Sequence, residues 1–189
     1  METLWIILPV LSIGVAIAYL AGLYNELVKA TVNVDRSWAN ITVLEKQRYD
    51  ELPRLVEVCN GYMKYEKDTL ERITRARAQF LEARTPPAMA NADLKLEGAL
   101  TTLFAVAENY PDLKAADNFV RLQKRITGLE CEIADRREFY NDAVAVFNTR
   151  IGQVPYTFVA ALAGFTPLDM YQVAEEETRP VDVKFGAGR

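Results

Sequence analysis

The side chains best placed for chemistry are charges that occupy apolar positions of a helical repeat. Glu45 and Arg48 fall between Ile41 and Leu52, Glu66 between Tyr62 and Leu70, Arg77 between Ile73 and Phe80, and Arg136 between Ile133 and Tyr140. Opposite charges at such positions can pair inside a bundle and fix helix register, although desolvation consumes most of the Coulomb gain. In that reading Glu45 or Glu66 meets Arg136. The other reading is that bends at Pro53 and Gly61 rotate the stripe, or that the long side chains run to the bundle edge and keep their heads in water. Either way the role is structural.

Reaction chemistry has little to draw on. The chain contains no histidine, which removes Ser-His and Cys-His dyads, HExxH zinc sites and the Glu-x-x-His pairs that hold two irons in four-helix bundles. The serines are Ser12, in an apolar stretch, and Ser37, beside Trp38, and neither has a base in prospect. The nine glycines are scattered singly except at the tail, so no phosphate-cradling loop is present. Glu97, Glu130 and Glu132 could approach a metal ion, but glutamate on a helix is commonly surface charge. No catalytic, cofactor-binding or metal-binding residue is assigned, and the chain is read as non-enzymatic and without a cofactor.

Leu4 to Leu23 is a run of twenty residues without a charge. At 1.5 Å per helical residue it reaches about 30 Å, the thickness of a bilayer core. The expected partner of residues 4–23 is therefore lipid. Ala16-Ile17-Ala18 has the small-x-small form of a secretory cleavage site, but apolar character continues to Leu23 and no Lys or Arg precedes the run. An uncleaved single-pass anchor is expected. Lys29 and Arg36 follow the span and favour a cytoplasmic body.

About 165 residues remain after the anchor, enough for a domain with a core. The formal charge of −4 and a pI near 5.1 argue against a nucleic-acid partner, which needs a clustered basic face. Arg72, Arg75 and Arg77 alternate with Glu71 and read as a solvated helix face. Cys59 and Cys131 sit within helical apolar patterns and are read as two buried free thiols, with a disulfide as the alternative.

The pattern beyond the membrane is helical almost throughout, and no run alternates as a strand does. From Tyr24 to about Ala83, Val34, Trp38, Ile41, Leu52, Leu55, Cys59, Tyr62, Leu70, Ile73 and Phe80 fall at steps of three and four or their multiples, predicting one long helix or two in line. Pro53 should bend it, Asn60-Gly61 is a second weak point, and Thr85-Pro86-Pro87 should stop it. A shorter helix is expected from about Asn91 to Glu108, then a turn at Asn109-Tyr110-Pro111-Asp112. Phe119, Leu122, Ile126, Leu129, Ile133, Tyr140, Val144, Phe147 and Ile151 mark a last long helix that Pro155 ends. The expectation is an all-α protein in which a single N-terminal transmembrane helix continues into an antiparallel long-helix bundle. Its parts are an anchor at 1–23, a bundle at 24–155, and at 156–189 a short apolar segment with a mobile acidic tail containing Glu175-Glu176-Glu177.

These motifs resemble the LemA family. The front half is carried by Tyr24-Asn25-x-Leu27-Val28, Trp38, Arg48-x-Asp50-x-Leu52-Pro53-x-Leu55-Val56, Gly61-Tyr62 and Glu66. The second half is closer: Glu108-Asn109-Tyr110-Pro111-Asp112-Leu113-Lys114-Ala115, Asn118-Phe119, Leu122-Gln123, Ile133-Ala134, Arg136-Arg137, Tyr140-Asn141-x-Ala143-Val144, Asn148, Pro155 and Gly164-Phe165. Thr31-Val32, Thr42 and Tyr65 depart from the family's usual Arg-Asn, Asp and His. The resemblance implies a bacterial cell-membrane protein with an N-terminal single-pass anchor, a helical bundle and no established enzymatic activity. It brings no catalytic residues. It also implies settings such as magnetosomes and membrane protease quality control, so the expected role is a scaffold or adaptor whose protein partner could be a quality-control component. The second expectation is a self-assembling, homo-oligomeric membrane-organising protein, with Gly14 and Gly22 helping spans to pack although they form no GxxxG.

Overall fold

In a computed structural model the chain is described from Glu2 to Gln172, with side chains from Ile7 onward. Among these residues it is helical and contains no strand. Its elements are α1 (Glu2–Tyr62), α2 (Lys67–Glu82), α3 (Pro86–Ala107), α4 (Pro111–Lys114), α5 (Asp117–Gly152) and α6 (Tyr156–Ala163). The acidic tail with Glu175-Glu176-Glu177 lies outside the described residues. Two compact units are present, one comprising Met1–Arg48 and Ile126–Met170, the other Tyr49–Arg125 and the described residues from Tyr171. The boundaries fall inside α1 and α5.

In the first unit α1 and α5 run antiparallel. Glu26 meets Arg150, Trp38 meets Tyr140, Glu45 meets Arg137 and Arg48 meets Glu130, so partners on α5 fall in number as those on α1 rise. Between them lie Leu27, Val34 and Ile41 of α1 and Ile126, Ile133, Val144 and Phe147 of α5, all buried. The chain leaves α6 at Gly164, whose φ of 76° is the left-handed cap that glycine adopts without a Cβ penalty. It then runs back along α5. Phe165 lies 6.1 Å from the Phe147 ring, and the Asn148 amide clamps Leu168, Nδ2 donating to the carbonyl and Oδ1 accepting from the N–H, both at 2.9 Å. Tyr140 donates its hydroxyl to the Asp169 carbonyl at 2.8 Å.

In the second unit α2 and α3 pack on each other, and Leu52, Leu55 and Cys59 of the α1 end are buried, as are Met63, Ile73, Leu96, Leu100 and Leu103. Tyr49 stacks on Phe80 at 4.1 Å and donates its hydroxyl to Asp93 at 3.4 Å. Helix α1 stays helical through Pro53 and ends at Tyr62, just after the weak point expected at Asn60-Gly61. Pro53 has no N–H to give the Tyr49 carbonyl four residues back. Arg77 supplies the missing donor, its Nε reaching that carbonyl at 3.2 Å.

Thr85-Pro86-Pro87 separates two helices as expected, but the prolines open α3 instead of lying in the linker. The helix expected from about Asn91 thus starts at Pro86, capped by the Thr85 side chain, which accepts from the Ala88 N–H at 3.4 Å. First-turn positions have no intrahelical acceptor to serve, so proline costs nothing there. For the same reason the turn predicted at 109–112 becomes the one-turn helix α4, opened by Pro111.

Both cysteines are free thiols; Cys59 is buried, whereas Cys131 is exposed, against the expectation for it. Two residues along a helix is about 200° of rotation, so Cys131 points away from the face that Leu129 and Ile133 bury. Burial pushes the Cys59 thiol from 9.0 up to about 11. At pH 8 the native protein is expected to take up one equivalent of a maleimide, at Cys131, and a second only after unfolding; early labelling of Cys59 would refute its burial. Because the folded pKa is the higher one, the Cys59 contribution to stability is complete below pH 9.0 and lost as pH rises toward about 11.

The Pro53 gap gives a second test. Arg77→Met leaves the Tyr49 carbonyl without its donor and is expected to cost about 1–3 kcal/mol in denaturant unfolding. Pro53→Ala, at an exposed position, restores the helical N–H. In that background Arg77→Met should cost under about 1 kcal/mol. Equal costs in the two backgrounds would show that Arg77 acts in some other way.

Candidate functional site

Glu45 and Arg48 are 1% and 2% exposed, the most deeply buried charges of the first unit. They are there because the α1 stripe Leu27, Val34, Ile41 repeats at seven residues and its next step is Arg48, with Glu45 one turn after Ile41. Arg137 reaches Glu45 at 3.6 Å, and Glu130 lies 4.0 Å from Arg48. Two ion pairs of opposite polarity thus cross the same helix pair. The structure therefore contains a buried ionic layer, but the α5 arginine in it is Arg137 and not the expected Arg136. An ideal helix lags about 20° per heptad, so after two heptads from Phe119 the core position slips from the third residue beyond Ile133 to the fourth. Arg136 is exposed, its guanidinium 5.9 Å from the centre of the Phe139 ring.

The other two charges serve local ends. Glu66 meets no arginine of the layer; it accepts a hydrogen bond from the Tyr110 hydroxyl at 3.1 Å. Burial, and then that carboxylate, raise the Tyr110 pKa above its ordinary value. Around it Pro111 opens α4, Leu113 is fully buried and Glu108 pairs with Lys114. The stretch from Glu108 to Ala115 is thus a corner that fastens to the residue preceding α2. Arg77 is half-buried and serves the Tyr49 carbonyl, while Arg72, Arg75 and Glu71 are exposed, with Arg75 and Glu71 paired at 2.6 Å.

The sequence reading missed Asp93, which is 2% exposed and accepts from Tyr49. Its spacing to Leu96, Leu100 and Leu103 is three, then four, then three, the signal that would have found it. Of the carboxylates weighed for a metal, Glu130 faces Arg48 whereas Glu97 and Glu132 are exposed, and among the described residues no three His, Cys, Asp or Glu side chains converge on a common point. Ser12 and Ser37 donate to carbonyls of their own helix, Pro9 at 2.8 Å and Asn33 at 3.0 Å. An open groove of about 430 Å³ beside Pro53 is lined mainly by Leu52, Val56, Ile73 and Thr74.

What remains is the N-terminal third of α1. Leu8, Val10, Leu11 and Ile13 are exposed by 61%, 64%, 64% and 58%, which covers every side of the helix, and burial begins only at Leu23. This helix is long and apolar enough to cross a membrane. Where it enters the body it wears a collar of polar and aromatic groups. Tyr24 lies 6.0 Å from Phe165, Arg150 lies 4.0 Å from Glu26 and 5.6 Å from the Tyr156 ring, and the Tyr156 hydroxyl donates to Glu26.

The ionic layer is open to a stability test. Glu45→Ala strands Arg137 against a buried wall and is expected to cost about 3 kcal/mol, some 6–12 °C in Tm for a chain of this size. Glu45→Met with Arg137→Met should recover most of that loss. A double variant as unstable as the sum of the two single ones would refute pairing.

The chain is similar to proteins of known name along nearly its whole length. Protein LemA of Metamycoplasma hominis is 29% identical over 186 residues, 95% of this chain and 81% of that protein. Magnetosome protein MamQ 2 of Paramagnetospirillum magneticum is 24% identical over 201 aligned positions, 93% of this chain and 74% of its own length. Magnetosome protein MamQ of Magnetospirillum gryphiswaldense is 28% identical over 94 residues, half of this chain and 35% of that one. The family model described as LemA family matches residues 37–185, the stretch that contains the layer, the Tyr110 corner and the Asn148 clamp. With the motifs, their structural roles and this match in agreement, the chain belongs to the LemA family.

Proposed function

We propose that this protein is a membrane-tethered, non-enzymatic adaptor, held by residues 4–23 in the bacterial cell membrane, with a cytoplasmic helical body whose faces or tail bind another protein. The observation that carries the reading is the division along α1: exposed and apolar on all sides from Ile7 to Gly22, then striped and buried on one side from Leu23. A body fixed in this way to a bilayer raises the local concentration of its partner and needs no reactive group. The polar side chains that might be suspected of chemistry support the same reading, since they hold helices together: Glu45 with Arg137, Glu66 with Tyr110, and Asn148 with Leu168. Lys29 and Arg36, beyond the span, favour the cytoplasmic side.

The test is crosslinking in the living cell of the full-length chain in its own membrane, followed by mass spectrometry of what is joined to it. The expected result is a different protein joined reproducibly to the helical body or tail. Crosslinks confined to copies of this chain would overturn the adaptor reading in favour of self-assembly.

A further inference from the structure

Helix α6 is tied at both ends to one place on α1. At its start the Tyr156 hydroxyl donates to Glu26; just past its end Phe165 packs 6.0 Å from Tyr24. Those two anchoring residues are about 3 Å apart along α1, whereas α6 is about 12 Å long. Both ends of α6 are therefore held near the level of Tyr24 and Glu26 on α1. That level immediately follows Leu23, the last residue of the apolar span.

The two sides of α6 differ. Val159 and Ala160 are buried, while Phe158 and Leu162, one turn apart, are 69% and 92% exposed, and Val154, in the turn that leads into α6, is 73% exposed. No charge interrupts the segment from Val154 to Phe165. Such a row on a surface in water is unfavourable and marks a surface that something covers. An apolar row beside the mouth of a membrane span, with tyrosines and an arginine around it, has the composition of the bilayer interface.

We propose that α6 is an interfacial helix, lying in the plane of the membrane with Val154, Phe158 and Leu162 set among the upper acyl chains, so that the protein holds the bilayer at two places. The inference rests on the tether of the preceding section, because the height of α6 is fixed only relative to residues 24 and 26. A second contact of this kind sets the tilt of the body as well as its distance from the lipid, which a single span leaves free to rotate.

The test uses the full chain in vesicles of phosphatidylethanolamine and phosphatidylglycerol, with a nitroxide at Leu162→Cys in a Cys131→Ser background, Cys59 being buried. Matched labels go at Val15→Cys, within the span, and at Glu138→Cys, an exposed site about 18 Å along α5 from Arg150. Power saturation compares relaxation by oxygen, which concentrates in lipid, with relaxation by a nickel chelate, which stays in water. The expected result is oxygen dominance at residues 15 and 162 and nickel dominance at residue 138. Oxygen dominance at residue 15 with nickel dominance at 162 would overturn the interfacial helix and leave the tether standing. Nickel access at residue 15 would overturn both. Spin–spin broadening at 162 that disappears on dilution with unlabelled protein would put a second copy of the chain on this face, and also overturns the proposal.

Discussion

The apolar stripe that begins at Leu23 on α1 is the surface that the rest of the chain is built to cover. From Ile7 to Gly22 apolar side chains are exposed on every side of the helix; from Leu23 on, the stripe through Leu27, Val34 and Ile41 is buried. In the first unit α5, α6 and the returning segment at 165–169 do the covering. In the second, Leu52, Leu55 and Cys59 are fully buried. Hydrophobic burial supplies the drive, at roughly 25 cal/mol per Å² of apolar surface removed from water. It does not by itself choose one register of two long helices.

Register is set by the groups that burial would otherwise leave unsatisfied. Glu45 and Arg48 follow from the seven-residue step of the stripe, and an uncompensated charge at either place would be costly, so α5 must slide until Arg137 and Glu130 lie opposite. The same demand acts on a neutral group at Tyr49. Its carbonyl loses a partner to Pro53, and Arg77 must arrive from α2 to replace it. Tyr49 also stacks on Phe80 and donates to Asp93, so one residue of α1 fixes the placement of two other helices. A proline in mid-helix here acts as an address for a particular side chain.

Seen this way, the residues that mark the family are chiefly architectural. Tyr110 fastens the corner before α5 to Glu66, Asn148 grips both backbone groups of Leu168, and Phe165 packs where the chain turns back toward the collar. Each of these contacts joins positions 20 to 141 residues apart, so these side chains hold together segments that are distant in the chain.

The sequence by itself determined the helical class, the apolar span, the end of that span at Leu23 and most of the buried stripe, because these follow from residue type and the 3.6-residue period, which act locally. It also determined that Glu45 and Arg48 stand on the stripe. Only the tertiary structure decided their partner: Arg136 and Arg137 are neighbours in sequence, and the accumulated lag of a real helix turns the second inward and the first to water. The same holds for Cys131, placed on the far side from Leu129, and for the prolines after Thr85, whose meaning as end or beginning depends on which helix keeps its hydrogen bonds. The service of Arg77 to a carbonyl 28 residues away was invisible for the same reason, whereas the burial of Asp93 was legible in its spacing to Leu96, Leu100 and Leu103. A local pattern fixes which face of a helix is buried, but which groups meet across that face depends on the packing of segments distant in the chain.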